Sequence, residues 1–253
     1  MQMQNLEKMS KEQLIELVKN FDKKIKESEY ISALRKLSIG IAKEFRRPID
    51  KMYMDISFVM NNVDNNSSVA DYVFSLKAQI HKIRNISEQL LALAEPEENE
   101  KEICEINTLV LGHPIDILCS RMREKGFAVN LKLPEKSPQV KATQYQIRQV
   151  LFNILENARD AMSDLGELTI EVDTLEAKEG KFTVITIIDT GIGIPEENMK
   201  KIFQPFFSTK GKNYAGLGLM VTAYVIENLS GHIGVKSTLG TGTTVKLMIP
   251  QIN

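Results

Sequence analysis

The sequence predicts a two-part α + α/β protein: a long helical N-terminal stretch that folds back as a hairpin, then helices laid over a mixed sheet. Three observations predict it. Apolar residues recur at steps of three and four from Leu14 to Leu90, interrupted by one run of turn chemistry, Asn61-Asn-Val-Asp-Asn-Asn-Ser-Ser68. A charged, Pro-containing segment, Glu95-Pro-Glu-Glu-Asn-Glu-Lys101, then marks a boundary. Beyond it, helical periods alternate with short β-branched runs, the pattern of an α/β layer.

The elements follow in order. Leu14, Val18, Phe21 and Ile25 carry coiled-coil spacing, so residues 1–29 form a signalling-type helix. The phase slips at Ser28 and Glu29. It resumes at Ile31, Leu34, Leu37, Ile41, Phe45, Ile49, Met52, Ile56, Val59 and Val63, the first helix of a hairpin over residues 30–95. Val69, Val73, Leu76, Ile80, Ile83 and Leu90 stripe the second. A hairpin with so apolar a stripe cannot bury it alone, and pairing two copies into a four-helix bundle is the economical solution. Residues 101–253 form the second domain. It has helices at 108–125, 144–163 and 220–229, and strands at 127–133, 168–173 and 182–188. A closing hairpin, 232–237 with 244–249, turns at Gly240-Thr-Gly242.

Bulk properties exclude several classes. The 253 residues are 43% hydrophobic and 26% charged with a net charge of −1, an ordinary globular balance and no nucleic-acid surface. Cys104 and Cys119 have neither metal spacing nor the density of a disulfide scaffold. No run approaches the ~20 apolar residues of a membrane span. The first 26 residues are too polar and acidic for a signal or transit peptide, so the expectation is a cytoplasmic protein or portion.

Four short stretches carry chemistry. In Asn153-Ile-Leu-Glu-Asn157-Ala-Arg-Asp-Ala161 the two asparagines share a helix face, and an amide oxygen there suits Mg²⁺; alone, such a pair is as readily a cap or a solvated face. Arg159 and Asp160 fall on other faces and read as surface. Asp189-Thr-Gly191-Ile-Gly193-Ile-Pro195 follows an apolar strand. The carboxylate can accept an adenine amino hydrogen while the glycines admit the base, although a bare Asp-x-Gly-x-Gly is also a simple turn. Gly216-Leu217-Gly218-Leu219 opens an apolar helix whose first N–H groups can cradle phosphate. Gly240-Thr-Gly242-Thr243 is the fourth stretch. Between Phe203 and Gly216 the composition suits a mobile lid, with Lys210 as a cation for phosphate or simply a solvated lysine. Phe203, Phe206 and Phe207 read as packing that anchors this lid.

In order and separation these stretches resemble the N, G1, G2 and G3 boxes of the ATP-binding (GHKL, or Bergerat) α/β sandwich shared by histidine kinases, gyrase, Hsp90 and MutL. Ile202-Phe-Gln-Pro-Phe206-Phe-Ser-Thr-Lys210 narrows the resemblance to two-component sensor histidine kinases of the nitrogen-regulation type, over residues 30–253. The resemblance implies ATP and Mg²⁺ as ligands. It assigns Asn157 to the metal and Asn153 near the γ-phosphate. Asp189 goes to adenine N6 with Thr243 in support, and Gly191, Gly193, Lys210 and Gly216 to Leu219 complete the nucleotide contacts. It further implies a homodimer through the hairpin, and a response-regulator receiver domain or a partner kinase as partner.

One place departs from the family. Its first hairpin helix carries Ala-His-Glu-x-x-Asn/Thr-Pro, whereas this chain reads Ala42-Lys43-Glu44-Phe45-Arg46-Arg47-Pro48. Lys43 thus occupies the phosphate-acceptor position, Arg47 the Asn/Thr position, and Glu44 that of the residue taking the histidine proton. A histidine with pKa about 6.5 offers a lone pair at neutral pH; a lysine at about 10.4 does not. His81-Lys-Ile-Arg-Asn85 faintly echoes an acceptor box but lies roughly two turns nearer the hairpin turn than the level of Lys43, and reads as a solvated helix histidine. His113 and His232 have no acceptor context. The expectation is an ATP-binding member of this family in phosphorelay signalling with autophosphorylation in doubt, or alternatively a pseudokinase scaffold. A third reading is a helper that phosphorylates a partner's histidine.

Overall fold

The computed structural model describes residues 45, 49–57, 59, 68–93, 100–163, 165–178, 180–210 and 215–252. The N-terminal helix at 1–29, most of the first hairpin helix, Lys43, Glu44 and Arg47, and most of the Glu95 to Lys101 segment lie outside them.

Residues 49–57 are helical, and helix α1 (Ser68–Ala92) runs beside them. The Tyr53 ring lies 5.4 Å from the Lys77 ammonium and 5.2 Å from the Arg84 guanidinium. Two cations over one aromatic face are a cation–π contact that fixes the pairing of the two helices. The stripe divides: Val73 and Ile80 are buried, whereas Leu76 and Ile83 are about half exposed within one chain.

The α/β portion holds strand β1 (Glu102–Glu105), helices α2 (Ile106–Leu111) and α3 (Ile115–Glu124), strands β2 (Ala128–Lys132) and β3 (Gln139–Ala142), and helix α4 (Gln144–Ala161). Strands β4 (Glu167–Ala177) and β5 (Gly180–Asp189), helices α5 (Glu196–Met199) and α6 (Gly218–Asn228), and strands β6 (His232–Thr238) and β7 (Gly242–Pro250) complete it. Five strands form one mixed sheet in the order β2-β4-β5-β7-β6, parallel only between β2 and β4. Helices α3, α4 and α6 cover one face. Ile154, Leu155, Ile170, Ile185, Val221 and Leu247 meet in the layer between them. Burying side chains of that size stabilises by roughly 1.5–3 kcal/mol each, an upper estimate. Ala92 and Leu93, at the end of the hairpin, belong to the same core.

Two expectations are corrected. The helix read over residues 108–125 is two helices, because Pro114 has no N–H to give and restricts His113 before it; Gly112 ends α2 and α3 begins at Ile115. Strands β1 and β3 went unread. At four residues each they are too short to show a period, yet they pair antiparallel as a small second sheet, with the Cys104 thiol donating to the Ala142 carbonyl at 3.3 Å. The short helix α5 was not read either; the other strands and helices of the α/β portion fall where the pattern places them, with β4 running on to Ala177 rather than ending at Asp173.

Candidate nucleotide site

Strand β5 carries its apolar run through the core and delivers Asp189, 6% exposed, at its last position, in register with Thr243 of β7. Among the described residues its bonds fall on one carboxylate oxygen, Oδ1, which accepts the Gly191 N–H at 2.9 Å and the Thr243 N–H at 3.3 Å. Burial pushes the carboxyl above the ordinary aspartate value; the two N–H groups and the Lys210 charge oppose this only in part. Close approach explains the glycines. Gly193 (φ 70°) and Gly242 (φ 134°) have backbone angles that L side chains avoid, and a Cβ would overlap the Thr238 carbonyl at the first and that of Asp189 at the second. Ser237, which sequence reading passed over, ties the corner together. Its hydroxyl accepts from Ile194 N at 2.8 Å, donates to the Gly242 carbonyl at 2.9 Å and lies 2.9 Å from the Thr243 hydroxyl.

Helix α4 supplies the opposite wall. Thr143 caps it, accepting from Gln146 N at 3.2 Å, and its apolar stripe lies on the sheet. Gln149, Asn153, Asn157 and Asp160 follow one another at steps of four, four and three, hence along one face. Asn153 is buried, with both ends of its amide engaged: Oδ1 accepts from Gln149 Nε2 at 3.0 Å, and Nδ2 donates to the Gly218 carbonyl at 3.3 Å. It joins α4 to the first turn of α6. Asn157 Oδ1 accepts from the Lys210 ammonium at 2.9 Å, and Asp160 Oδ2 accepts from the same ammonium at 3.0 Å.

The reading of Asp160 as a surface residue is therefore corrected. Its side chain is 12% exposed and takes Arg159 Nε and Nη2 on its other oxygen, at 3.0 and 2.6 Å. Burial alone would raise its pKa, but the Arg159 hydrogen bonds and the Lys210 charge outweigh it and hold the carboxyl below the ordinary range. Burial lowers the pKa of the Lys210 ammonium, and pairing with Asp160 offsets only part of that. The signal for Asp160 was present in the sequence as the i+3 position from Asn157 on a helix. Its partner lies 50 residues on, and no local pattern points there.

The segment read as a lid and the run read as a phosphate cradle adjoin at Gly216 to Leu219. Helix α6 starts at Gly218 with no side-chain cap, so its first N–H groups carry the positive end of the helix dipole unscreened. Leu217 is buried, Leu219 is half-buried, and Gly218 sits among Asn153 of α4 and Gln89 of α1, which a Cβ would meet at 3.7 and 3.8 Å. The anchoring role read for three phenylalanines holds in part. Phe203 and Phe207 are half-buried, while Phe206 turns out to solvent, 61% exposed at φ 63°.

A magnesium ion fits the donors present. Among the described residues no three His, Cys, Asp or Glu side chains gather. Mg²⁺ asks for few protein oxygens beside phosphate and water, and Asn157 and Asp160 already share one cation between them.

Residues 142–253 match the family described as histidine kinase-, DNA gyrase B- and HSP90-like ATPase. Sporulation kinase A of Bacillus subtilis (strain 168) is 32% identical over 225 residues; the match takes in 88% of this chain but only 36% of that protein. Full-length ShkA, solved in complex with AMPPNP, superposes with a TM-score of 0.67 at 21% identity, over 86% of this chain and 46% of ShkA. The histidine kinase ThkA, in complex with the response regulator TrrA, gives 0.60 at 22% identity, over 92% of this chain and 66% of ThkA. By sequence and by fold the chain belongs to the two-component sensor histidine kinase family, with its ATPase domain in the C-terminal portion.

Proposed function

We propose that this chain binds Mg-ATP between Asp189 and the Asn157 side of α4, and acts in phosphorelay signalling as the core of a sensor kinase-like phosphotransferase. One observation carries the reading. A buried carboxylate stands at a strand end in a corner that Gly193 and Gly242 allow to close, and an amide oxygen, a carboxylate and a lysine ammonium converge at helix α4. In this reading Asp189 accepts the adenine amino hydrogen and Thr243 holds its oxygen in place. The N–H groups of residues 216–219 and Lys210 meet the phosphates, as charge stabilisation in phosphoryl transfer requires. Asn157 would hold the magnesium, which neutralises phosphate charge when bound. Asn153 keeps α6 against α4, at the end where the γ-phosphate lies.

The assembly in this reading is a cytoplasmic homodimer through the hairpin, presenting itself to a receiver domain or a partner kinase. Among the described residues no helix is long and apolar enough to cross a membrane. A second reading has a specific support. Lys43 and Arg47 stand where the family places its acceptor histidine and its Asn or Thr. On that ground the chain serves as a nucleotide-responsive scaffold that binds a regulator or a true kinase without phosphorylating itself.

The nucleotide site is tested by calorimetric titration of Mg-AMPPNP. Asp189→Ala and Asn157→Ala should each weaken binding at least roughly ten-fold, the loss of a buried charge-assisted contact of about 1.4 kcal/mol or more. Affinity equal to the wild type in both variants would remove the assignment.

A further inference from the structure

The Lys210 ammonium has among its partners Asn157 Oδ1 at 2.9 Å and Asp160 Oδ2 at 3.0 Å. Both partners come from the face of α4 that lines the nucleotide site, one turn apart, and the lysine reaches them from the segment before Gly216. All three are withdrawn from water. The Lys210 and Asp160 side chains are 26% and 12% exposed, and Asn157 is half-buried. A monovalent ammonium held by an amide oxygen and a carboxylate oxygen is a cation in a seat with a neutral and an anionic ligand, the donor chemistry that also suits a hard divalent ion. Arg159 fixes the seat from behind, bonding Asp160 Oδ1 at 2.6 and 3.0 Å and so aiming Oδ2 at the lysine.

We propose that Asn157 and Asp160 form a single cation seat, which Lys210 fills and for which the magnesium of a bound nucleotide competes. The inference rests on the reading of this pocket as a Mg-nucleotide site, and adds Asp160 to the residues that face the metal, directly or through a metal-bound water. Lysine and metal are then alternatives for one position. Arg159 compensates the Asp160 carboxylate through Oδ1, so lysine and metal compete for Oδ2 alone. When the metal enters, the displaced ammonium is set free beside the phosphates.

The exchange has a thermodynamic signature that does not depend on catalysis. If lysine and metal compete for the seat, magnesium improves nucleotide binding less in the wild type than in a chain without the lysine. The measurement is the affinity for a fluorescent ADP analogue, which has no γ-phosphate for Lys210 to contact, with EDTA and with saturating Mg²⁺. The quantity read is the ratio of the two dissociation constants. In Lys210→Met the ratio should rise roughly five-fold over the wild type, the size of one partly buried ionic contact. Adding Asp160→Asn to Lys210→Met should bring the ratio back down, because the seat has then lost its carboxylate. Binding at saturating Mg²⁺ reports in the same titration that each variant is folded.

An equal or smaller ratio in Lys210→Met overturns the shared seat and leaves an ordinary ion pair. A double variant with the ratio of Lys210→Met removes Asp160 from the metal's surroundings. Wild-type protein that fails to bind the analogue even at saturating Mg²⁺ sinks the nucleotide reading itself, and the exchange with it.

Discussion

Asp189 shows how much of the site a single residue decides. A carboxylate buried at the end of a strand has its charged form disfavoured, and burial here raises its pKa despite two backbone N–H groups and a nearby lysine. The adenine amino group needs the ionised acceptor. Because the folded-state pKa is raised, the ionised form is lost at a higher pH than for an ordinary aspartate as the solution is acidified. Nucleotide affinity should therefore fall on going from pH 7 toward the acid range while an ordinary exposed carboxylate is still fully charged. A fluorescence titration of a nucleotide analogue across that range checks it, and affinity flat down to the usual aspartate pKa of about 3.9 would contradict it. Asp189, Asn157 and the glycines were legible in the sequence because a motif places them beside one another along the chain. For Asp160 the helix spacing was there to read but its cation was not, and Ser237 carried no signal. Their chemistry depends on Lys210 and Thr243, which only the folded sheet and lid bring to them.

At the scale of elements, legibility followed length. Helix α4 announces itself through an 18-residue amphipathic pattern with a threonine cap, and the strands β5 and β7 through β-branched runs. Strands β1 and β3 are too short for a period to show, and the pattern that suggested one helix over 108–125 continues across Pro114 because apolar spacing does not register a missing N–H. Helix α1 carries an unfinished account of its own. Leu76 is 54% exposed and Ile83 48%, on a helix whose stripe positions Val73 and Ile80 are buried. If a second hairpin covers them, Leu76→Asp should shift the protein from two chains to one in sedimentation velocity at micromolar concentration. It places a charge in a packed apolar seam, at a cost of several kcal/mol. A wild type that already sediments as one chain, or a variant that still sediments as two, would contradict pairing through this face.

The whole molecule joins these parts through one core. Ala92 and Leu93 end the hairpin inside the packing of the α/β portion, the Tyr145 hydroxyl donates to the Glu88 carbonyl at 2.9 Å, and Gln89 lies beside Gly218. The second hairpin helix thus ends against α4 and the first turn of α6, the two elements that frame the phosphate end in the proposed site. In the proposed reading, a change at the nucleotide has a short physical path to the hairpin helices, and Lys43 takes the position where the family keeps its acceptor. The central claim is a nucleotide site without a self-acceptor, and incubation with γ-labelled ATP and Mg²⁺ tests it most directly. The account predicts no acid-labile phosphate on the wild-type chain, and the appearance of such label in Lys43→His. Acid-labile phosphate on the wild-type protein would contradict it.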